Sequence, residues 1–160
     1  MAYMDRNIGF TLIELVIVIV VLGIIAITVA IKFPSSSSSI QFGATTDQVV
    51  SDIRYTQSLS MNLNERYRIN FASNSYSIED AKNNLIKHPA ANSTTITLAT
   101  GTSFSKPPTP NCIAFDGRGE PCDCSAGTAL TITEIIQLAN SSTTRDITVT
   151  PTTGYVSISP

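Results

Sequence analysis

The chain has 160 residues, room for one domain and one further element, with a formal net charge of −2 and only 14% charged residues. So weak and slightly acidic a charge gives no global attraction to nucleic acid, and its sparseness is unlike a soluble cytosolic domain, where about a quarter of residues are charged. Hydrophobic content is ordinary at 42%, but much of it is gathered in residues 10–31, and Ser, Thr and Asn dominate the remainder.

Met1–Gly9 is polar and carries Asp5 and Arg6, and the apolar run Phe10–Ile31 that follows holds one charge, Glu14. As a helix, its roughly 22 residues rise about 33 Å, enough for the hydrocarbon core of a bilayer. The run is too long for a signal-peptide core and no small-x-small cleavage site follows it. It has no polar face to show water, which argues against a buried helix of a soluble domain. Arg6 before it and Lys32 after it give little orientation bias. Pro34 and the run Ser35–Ser39 weaken helix and predict either a kink or a linker. A helix resumes over Thr45–Leu63, with Thr45, Thr46 or Asp47 able to cap it; Val49, Ile53, Thr56, Ser60 and Leu63 share one face, a small-residue stripe suited to lying on a sheet.

From there the chain reads as strands. Tyr67, Ile69 and Phe71 alternate with polar residues, Ser73-Asn74-Ser75 makes a turn, and Tyr76–Ile78 returns as a hairpin. Ile96 and Leu98 alternate in a Thr-rich stretch, Ser105–Asn111 with its prolines is a loop, and Ile113 and Phe115 lead into a turn at Asp116-Gly117-Arg118-Gly119. Leu130, Ile132, Ile136 and Leu138 keep period two, although the adjacent Ile135 leaves helix open. Ile147 and Val149, a turn at Pro151-Thr152-Thr153-Gly154, then Val156 and Ile158 make a closing hairpin. The fold class is therefore α+β: a long N-terminal helix packed on an antiparallel β-sheet head.

The three cysteines, Cys112, Cys122 and Cys124, are clustered among Pro and Gly. In an exported domain they predict one disulfide, Cys112 with Cys122 or Cys124, since an i,i+2 bridge between the latter two is strained. Closing such a loop contributes roughly 3 kcal/mol. His88, the one histidine, precedes Pro89 in a loop, and the Cys/His spacing matches no standard zinc site, so no metal and no cofactor is expected. No nucleophile motif or phosphate loop stands out, and Asp123 between two cysteines reads as a turn residue. Asn92-Ser93-Thr94 and Asn140-Ser141-Ser142 match a glycosylation acceptor pattern that such loops produce by chance.

The junction Ile8-Gly9-Phe10-Thr11-Leu12-Ile13-Glu14 resembles the processing site of type IV prepilins and type II secretion pseudopilins. The resemblance implies that a membrane peptidase cuts between Gly9 and Phe10 and methylates Phe10. Gly23 also fits the pattern; with Pro34, which lies a few residues later than in major pilins, it implies a spine helix that can loosen. Asp52-Ile53-Arg54-Tyr55-Thr56-Gln57, Phe115-Asp116-Gly117-Arg118-Gly119 and Thr153-Gly154-Tyr155-Val156 resemble, more loosely, the heads of H-type minor pseudopilins and FimT-like or mannose-sensitive haemagglutinin minor pilins. Some FimT-like proteins bind DNA through a basic C-terminal region; this one offers Arg145 beyond Arg118, too few phosphate partners, so nucleic acid is not expected as a partner.

Glu14 has a rationale of its own. A carboxylate near a membrane helix's start is costly unless partnered, and cleavage would create an amine at Phe10, which on a neighbouring subunit could neutralise it and set the axial register. The organisation implied is a leader over 1–9, a transmembrane and filament-core helix over 10–33, a Ser-rich kink or linker over 34–43, and a periplasmic head over 44–160. The chain would be a structural minor pilin or pseudopilin and not an enzyme, single-pass in the bacterial inner membrane before it enters a pilus or pseudopilus. Its partners would be other pilin or pseudopilin subunits, the prepilin peptidase and methyltransferase, the inner-membrane assembly platform and the membrane itself. The alternative is an unprocessed, membrane-anchored periplasmic binding domain, with an anchored enzyme behind it.

Overall fold

The computed structural model describes the backbone of residues 10–30 and 34–159 and the side chains of residues 10–25 and 38–159. The expected leader, Gly9 included, and residues 31–33 of the expected membrane helix lie outside the described residues. The chain divides into two compact units, residues 1–40 and 41–160. Helix α1 is Leu12–Ala30, and α2 is Pro34–Leu63.

The Ser-rich segment 34–43, expected as a kink or linker, is helical, and α2 is correspondingly longer than the expected Thr45–Leu63. Thr45 and Thr46, expected as caps, sit inside the helix and donate their hydroxyls to the Gln41 and Phe42 carbonyls at 2.8 and 2.9 Å. Thr56 and Ser60 do the same to Asp52 and Thr56. This back-bonding satisfies each hydroxyl within the helix, so a Ser/Thr-rich face can be buried without orphaned polar groups. Val49, Ile53, Thr56 and Ser60 are all buried, whereas Leu63, expected on the same face, is 55% exposed. Asn64, at φ 50, turns the chain out of the helix just there.

Ten strands follow in two antiparallel sheets: β1 Tyr67–Phe71, β2 Ser75–Asp80, β3 Leu85–Ile86, β4 Thr95–Thr97, β5 Ser103–Lys106, β6 Cys112–Phe115, β7 Pro121–Cys122, β8 Glu134–Ala139, β9 Thr144–Val149 and β10 Val156–Ser159. The first sheet has the order β3-β2-β1-β6-β7, with β4 also on β2; the second is β10-β9-β8-β5. The β1–β2 hairpin pairs Ile69 with Ile78 and Phe71 with Tyr76, and the closing hairpin pairs Val149 with Val156. Strict alternation puts Tyr67, Ile69 and Phe71 inward, together with Ile136, Leu138, Ile147 and Val149. These side chains join Val49 and Ile53 of α2 in one core shared by both sheets.

Three short strands fall outside the expected ones. In β5 only Phe104 points inward, and β3 and β7 have two residues each, so none shows an alternation that a sequence can display. The period-two reading of Leu130–Leu138 holds only from Glu134 onward. Ile132 is 68% exposed, and the Leu130 N–H is taken by the Pro121 carbonyl at 2.9 Å.

Candidate functional site

The start of α1 is built by Thr11. Its carbonyl accepts the N–H groups of Glu14 and Leu15 at 3.1 and 3.2 Å, and its hydroxyl accepts the Glu14 N–H at 3.3 Å. Thr11 is therefore the N-cap, three residues ahead of a glutamate as in a capping box. Phe10 and Thr11 precede α1, which begins at Leu12, two residues after the start of the expected span. Glu14 lies in the first turn, where the helix dipole favours a carboxylate, and it is the one acidic residue of α1.

Every described side chain from Phe10 to Ile25 is exposed. Phe10 at 84% and Leu12 at 82% are the extremes. The apolar surface runs all round the helix, with no polar stripe for water, which calls for a lipid or protein neighbour. Among the described residues no helix is long and apolar enough to cross a membrane. Described side chains of α1 cover only Leu12–Ile25, about 21 Å of helix at 1.5 Å per residue, against a hydrocarbon core of about 30 Å. At Gly23 a Cβ would meet nothing within 4 Å, so no described contact of the chain itself requires a glycine there.

In the head, the segments that carry the family resemblance come together around α2. Gln57 donates its amide to the Gly119 carbonyl at 2.8 Å and the Thr153 carbonyl at 3.1 Å, tying the β6–β7 and β9–β10 turns to one side chain. Arg54 donates to the Val156 carbonyl of β10 at 2.8 Å. Gly154, at φ +64, lies so close that a Cβ would stand 2.7 Å from the Gly119 carbonyl oxygen and 3.1 Å from the Phe115 ring. The glycines of these turns are there for close approach, and Gln57 occupies the seam they leave.

Asp52, one turn before, is 4% exposed. Its two carboxylate oxygens accept from the Tyr76 hydroxyl of β2 at 2.5 Å and pair with His88 Nε2 at 2.8 Å. Burial, and then the bond to Asp52, push the Tyr76 hydroxyl far up from its ordinary range. His88, 6% exposed, is the residue that a loop position before proline least suggested. The signal that could have found this cluster is the place of Asp52 on the buried stripe, three residues after Val49 and four before Thr56.

Cys112 is bonded to Cys124, one of the two partners expected, with a Cα–Cα distance of 6.4 Å. The β6–β7 register explains the choice. Ala114 stands opposite Cys122, so Cys112, two residues before it, and Cys124, two residues past the partner, are carried to the same end of the pair. Cys122 is the free, buried thiol beside this bridge, and burial pushes it up to about 11. Asp123 does close a turn: the Ser125 hydroxyl and then the Ala126 and Ser125 N–H groups hold its carboxyl below the usual range. Arg118 reaches Asp116 at 3.3 Å and Glu120 at 3.1 Å, and the Arg145 guanidinium lies 6.0 Å from the centre of the Phe42 ring.

Two family descriptions match this chain: "Prokaryotic N-terminal methylation motif" over residues 4–30, and "Type II transport protein GspH" over residues 45–153, well over half of the sequence. No curated protein and no solved structure matches it. A capped apolar helix with its first-turn glutamate falls within the first match, and most of α2 with strands β1 to β9 within the second. The chain belongs to the type II transport protein GspH family: it is a pilin-like structural subunit, a minor pilin or pseudopilin that prepilin peptidase processes and that assembles into a pilus or pseudopilus.

Proposed function

We propose that processing cuts the Gly9–Phe10 bond, that Phe10 carries the N-methyl group, and that Glu14 then pairs with the new amine of a neighbouring subunit. The observation that carries this reading is an apolar helix exposed from Phe10 to Ile25 whose one charged side chain sits in the first turn, three residues after the capping Thr11. A carboxylate among apolar neighbours is costly unless paired, and a cationic terminus is the partner that only processing supplies. Before assembly the residues 10–33 hold the subunit in the bacterial inner membrane with the head, from about residue 44, in the periplasm. A disulfide in the head fits that oxidising compartment.

The role is assembly without catalysis. What supports this is that Asp52 and His88, the pair with the most catalytic look, spend their polar atoms on Tyr76, on each other and on the Ala91 N–H. Gly23 and Pro34 would let the spine helix loosen as subunits are stretched. Nucleic acid is left out because Arg118 is flanked by two carboxylates and Arg145 packs over Phe42. The partners are other pilin-like subunits, the peptidase and methyltransferase, and the inner-membrane assembly platform. Mass spectrometry of the mature N-terminus tests the reading. The expected mass is that of a chain beginning with N-methyl-Phe10, and an intact leader in cells with active peptidase would return the chain to the class of unprocessed anchored binding domains.

A further inference from the structure

The buried His88 is held from both ring nitrogens. Nε2 faces an Asp52 carboxylate oxygen at 2.8 Å, and Nδ1 accepts the N–H of Ala91 at 3.1 Å. That pair of contacts specifies a neutral ring with its proton on Nε2. The same residue closes the following turn through its backbone: its N–H donates to the Ser93 carbonyl at 2.8 Å and its carbonyl accepts the Asn92 N–H at 2.9 Å. Residues 89–93 themselves are exposed. A cavity of about 370 Å³ lies between this turn and α2, walled by Ser51, Tyr55, Pro89 and Ala90 and floored by Asp52 and His88.

We propose that His88 is an acid-operated latch on the turn 88–93. A second ring proton must sit on Nδ1, where it meets the Ala91 N–H donor to donor. The ring itself stays on α2, because the imidazolium keeps its Nε2–H on Asp52 and gains that carboxylate as a counter-ion. The part that yields is the backbone of the turn: the Ala91 amide loses its acceptor and moves out, and Pro89 and Ala90 move with it. The titratable groups around the ring are few. Asp52 of α2 favours the charged ring, and the Tyr76 hydroxyl of β2, bonded to the other Asp52 oxygen, weakens that pull. Tyr55 of α2 presents its ring at 5.9 Å, edge to face, and Lys87, next in the chain, opposes the charge. Residues 89–93 bring no ionisable side chain. The device thus sets the shape of an exposed patch of the head by the pH outside the cytoplasmic membrane and leaves the core untouched.

Because His88 is the one histidine of the chain, the test is direct. The full-length protein in detergent micelles, labelled with ¹⁵N-histidine and ¹⁵N-alanine, is followed by NMR between about pH 8 and pH 5, the span in which imidazoles titrate. At the upper end a protonated Nε2 and a bare Nδ1 are expected. On acidification Nδ1 gains its proton, the Ala91 amide shift moves with the same midpoint, and its exchange rate, corrected for the intrinsic pH effect, rises about tenfold or more. In His88→Asn the Ala91 amide should lose this pH response. An Nδ1–H tautomer at pH 8, a ring that stays neutral to pH 5, or an Ala91 amide indifferent to the ring's titration would each overturn the proposal, and none depends on the variant folding.

Discussion

Gly154→Ala puts the clasp around α2 to a quantitative test. At φ +64 an L-side chain costs roughly 1–2 kcal/mol on backbone grounds alone. The new Cβ would also lie 2.7 Å from the Gly119 carbonyl oxygen and 3.1 Å from the Phe115 ring, and would press on the Gln57 amide. The carbonyl and ring belong to a strand and its turn and cannot retreat singly. Gln57 can, but only by releasing the Gly119 and Thr153 carbonyls, each bond contributing about 0.5–1.5 kcal/mol. Whether Gln57 yields, or stays and is overpacked at about 1–3 kcal/mol, the added cost is about 1–3 kcal/mol and the expected total loss about 2–5 kcal/mol. Urea unfolding of the full chain in mild detergent, followed by the near-ultraviolet circular dichroism of the buried Tyr67 and Tyr76, measures it. Gly101→Ala is the matched control. Its φ is +81, yet a Cβ there meets nothing within 4 Å, so only the backbone cost of about 1–2 kcal/mol should appear. If Gly154→Ala is no more destabilising than Gly101→Ala, the close approach of the two turns to α2 is not what holds the head.

Cys122, with burial holding its thiol near 11, should be only about a thousandth thiolate at pH 8. Iodoacetamide should therefore leave the native chain unlabelled and modify one thiol per chain after denaturation without reductant; rapid native labelling refutes the burial. Hydrogen bonds from Asn84 hold the Asp80 carboxyl, and those from Ser125 and Ala126 the Asp123 carboxyl, below the ordinary carboxylate range, so their contribution to stability is full above about pH 4 and is lost as pH falls through the depressed values. Unfolding midpoints at pH 5 and pH 3 should show that fall, and it should shrink in Asp80→Asn. Glu14→Ala should insert and be cut, yet be missing from sheared fibre fractions, whereas Gly23→Ala should make α1 more helical by about 0.8–1 kcal/mol. Wild-type incorporation of Glu14→Ala would remove the proposed pairing.

How much of this was legible depends on how local the cause is. The alternation of Tyr67, Ile69 and Phe71, and of Ile147, Val149, Val156 and Ile158, announces hairpins because one buried face imposes period two on neighbouring residues. The apolar run with Glu14 near its start is legible because the residues that mark it adjoin one another, whereas the capping by Thr11 shows only in the structure. The helicity of Ser35–Ser39 was not legible, since serine is an indifferent helix former and propensity is a weak prior that context overrides. Nor could composition place β5, whose one buried side chain, Phe104, gives no pattern. The cysteine choice needed the register Ala114–Cys122, a property of the fold and not of the spacing. The Asp52–His88 pair spans 36 positions, and nothing near His88 hints at burial.

The polar bonds of α2 acquire a mechanical meaning once the chain is a fibre subunit. A pull on the N-terminal segment passes along the chain into α2, the element that follows it. On the side of the first sheet α2 is held by Asp52 to Tyr76 of β2 and by Gln57 to Gly119; on the side of the second it is held by Gln57 to Thr153 and by Arg54 to Val156 of β10. Val49 and Ile53, with no exposed area, fill the seam between. Apolar packing resists separation but has little preference for position along the helix axis, whereas hydrogen bonds fail once donor and acceptor slide by more than a few tenths of an ångström beyond about 3.2 Å. The side-chain bonds therefore fix where along its axis α2 sits, and the core fixes that it stays. This division explains why a helix face so poor in large apolar residues serves here: its hydroxyls are satisfied within α2, leaving Asp52, Arg54 and Gln57 to engage the sheets at both ends of the seam.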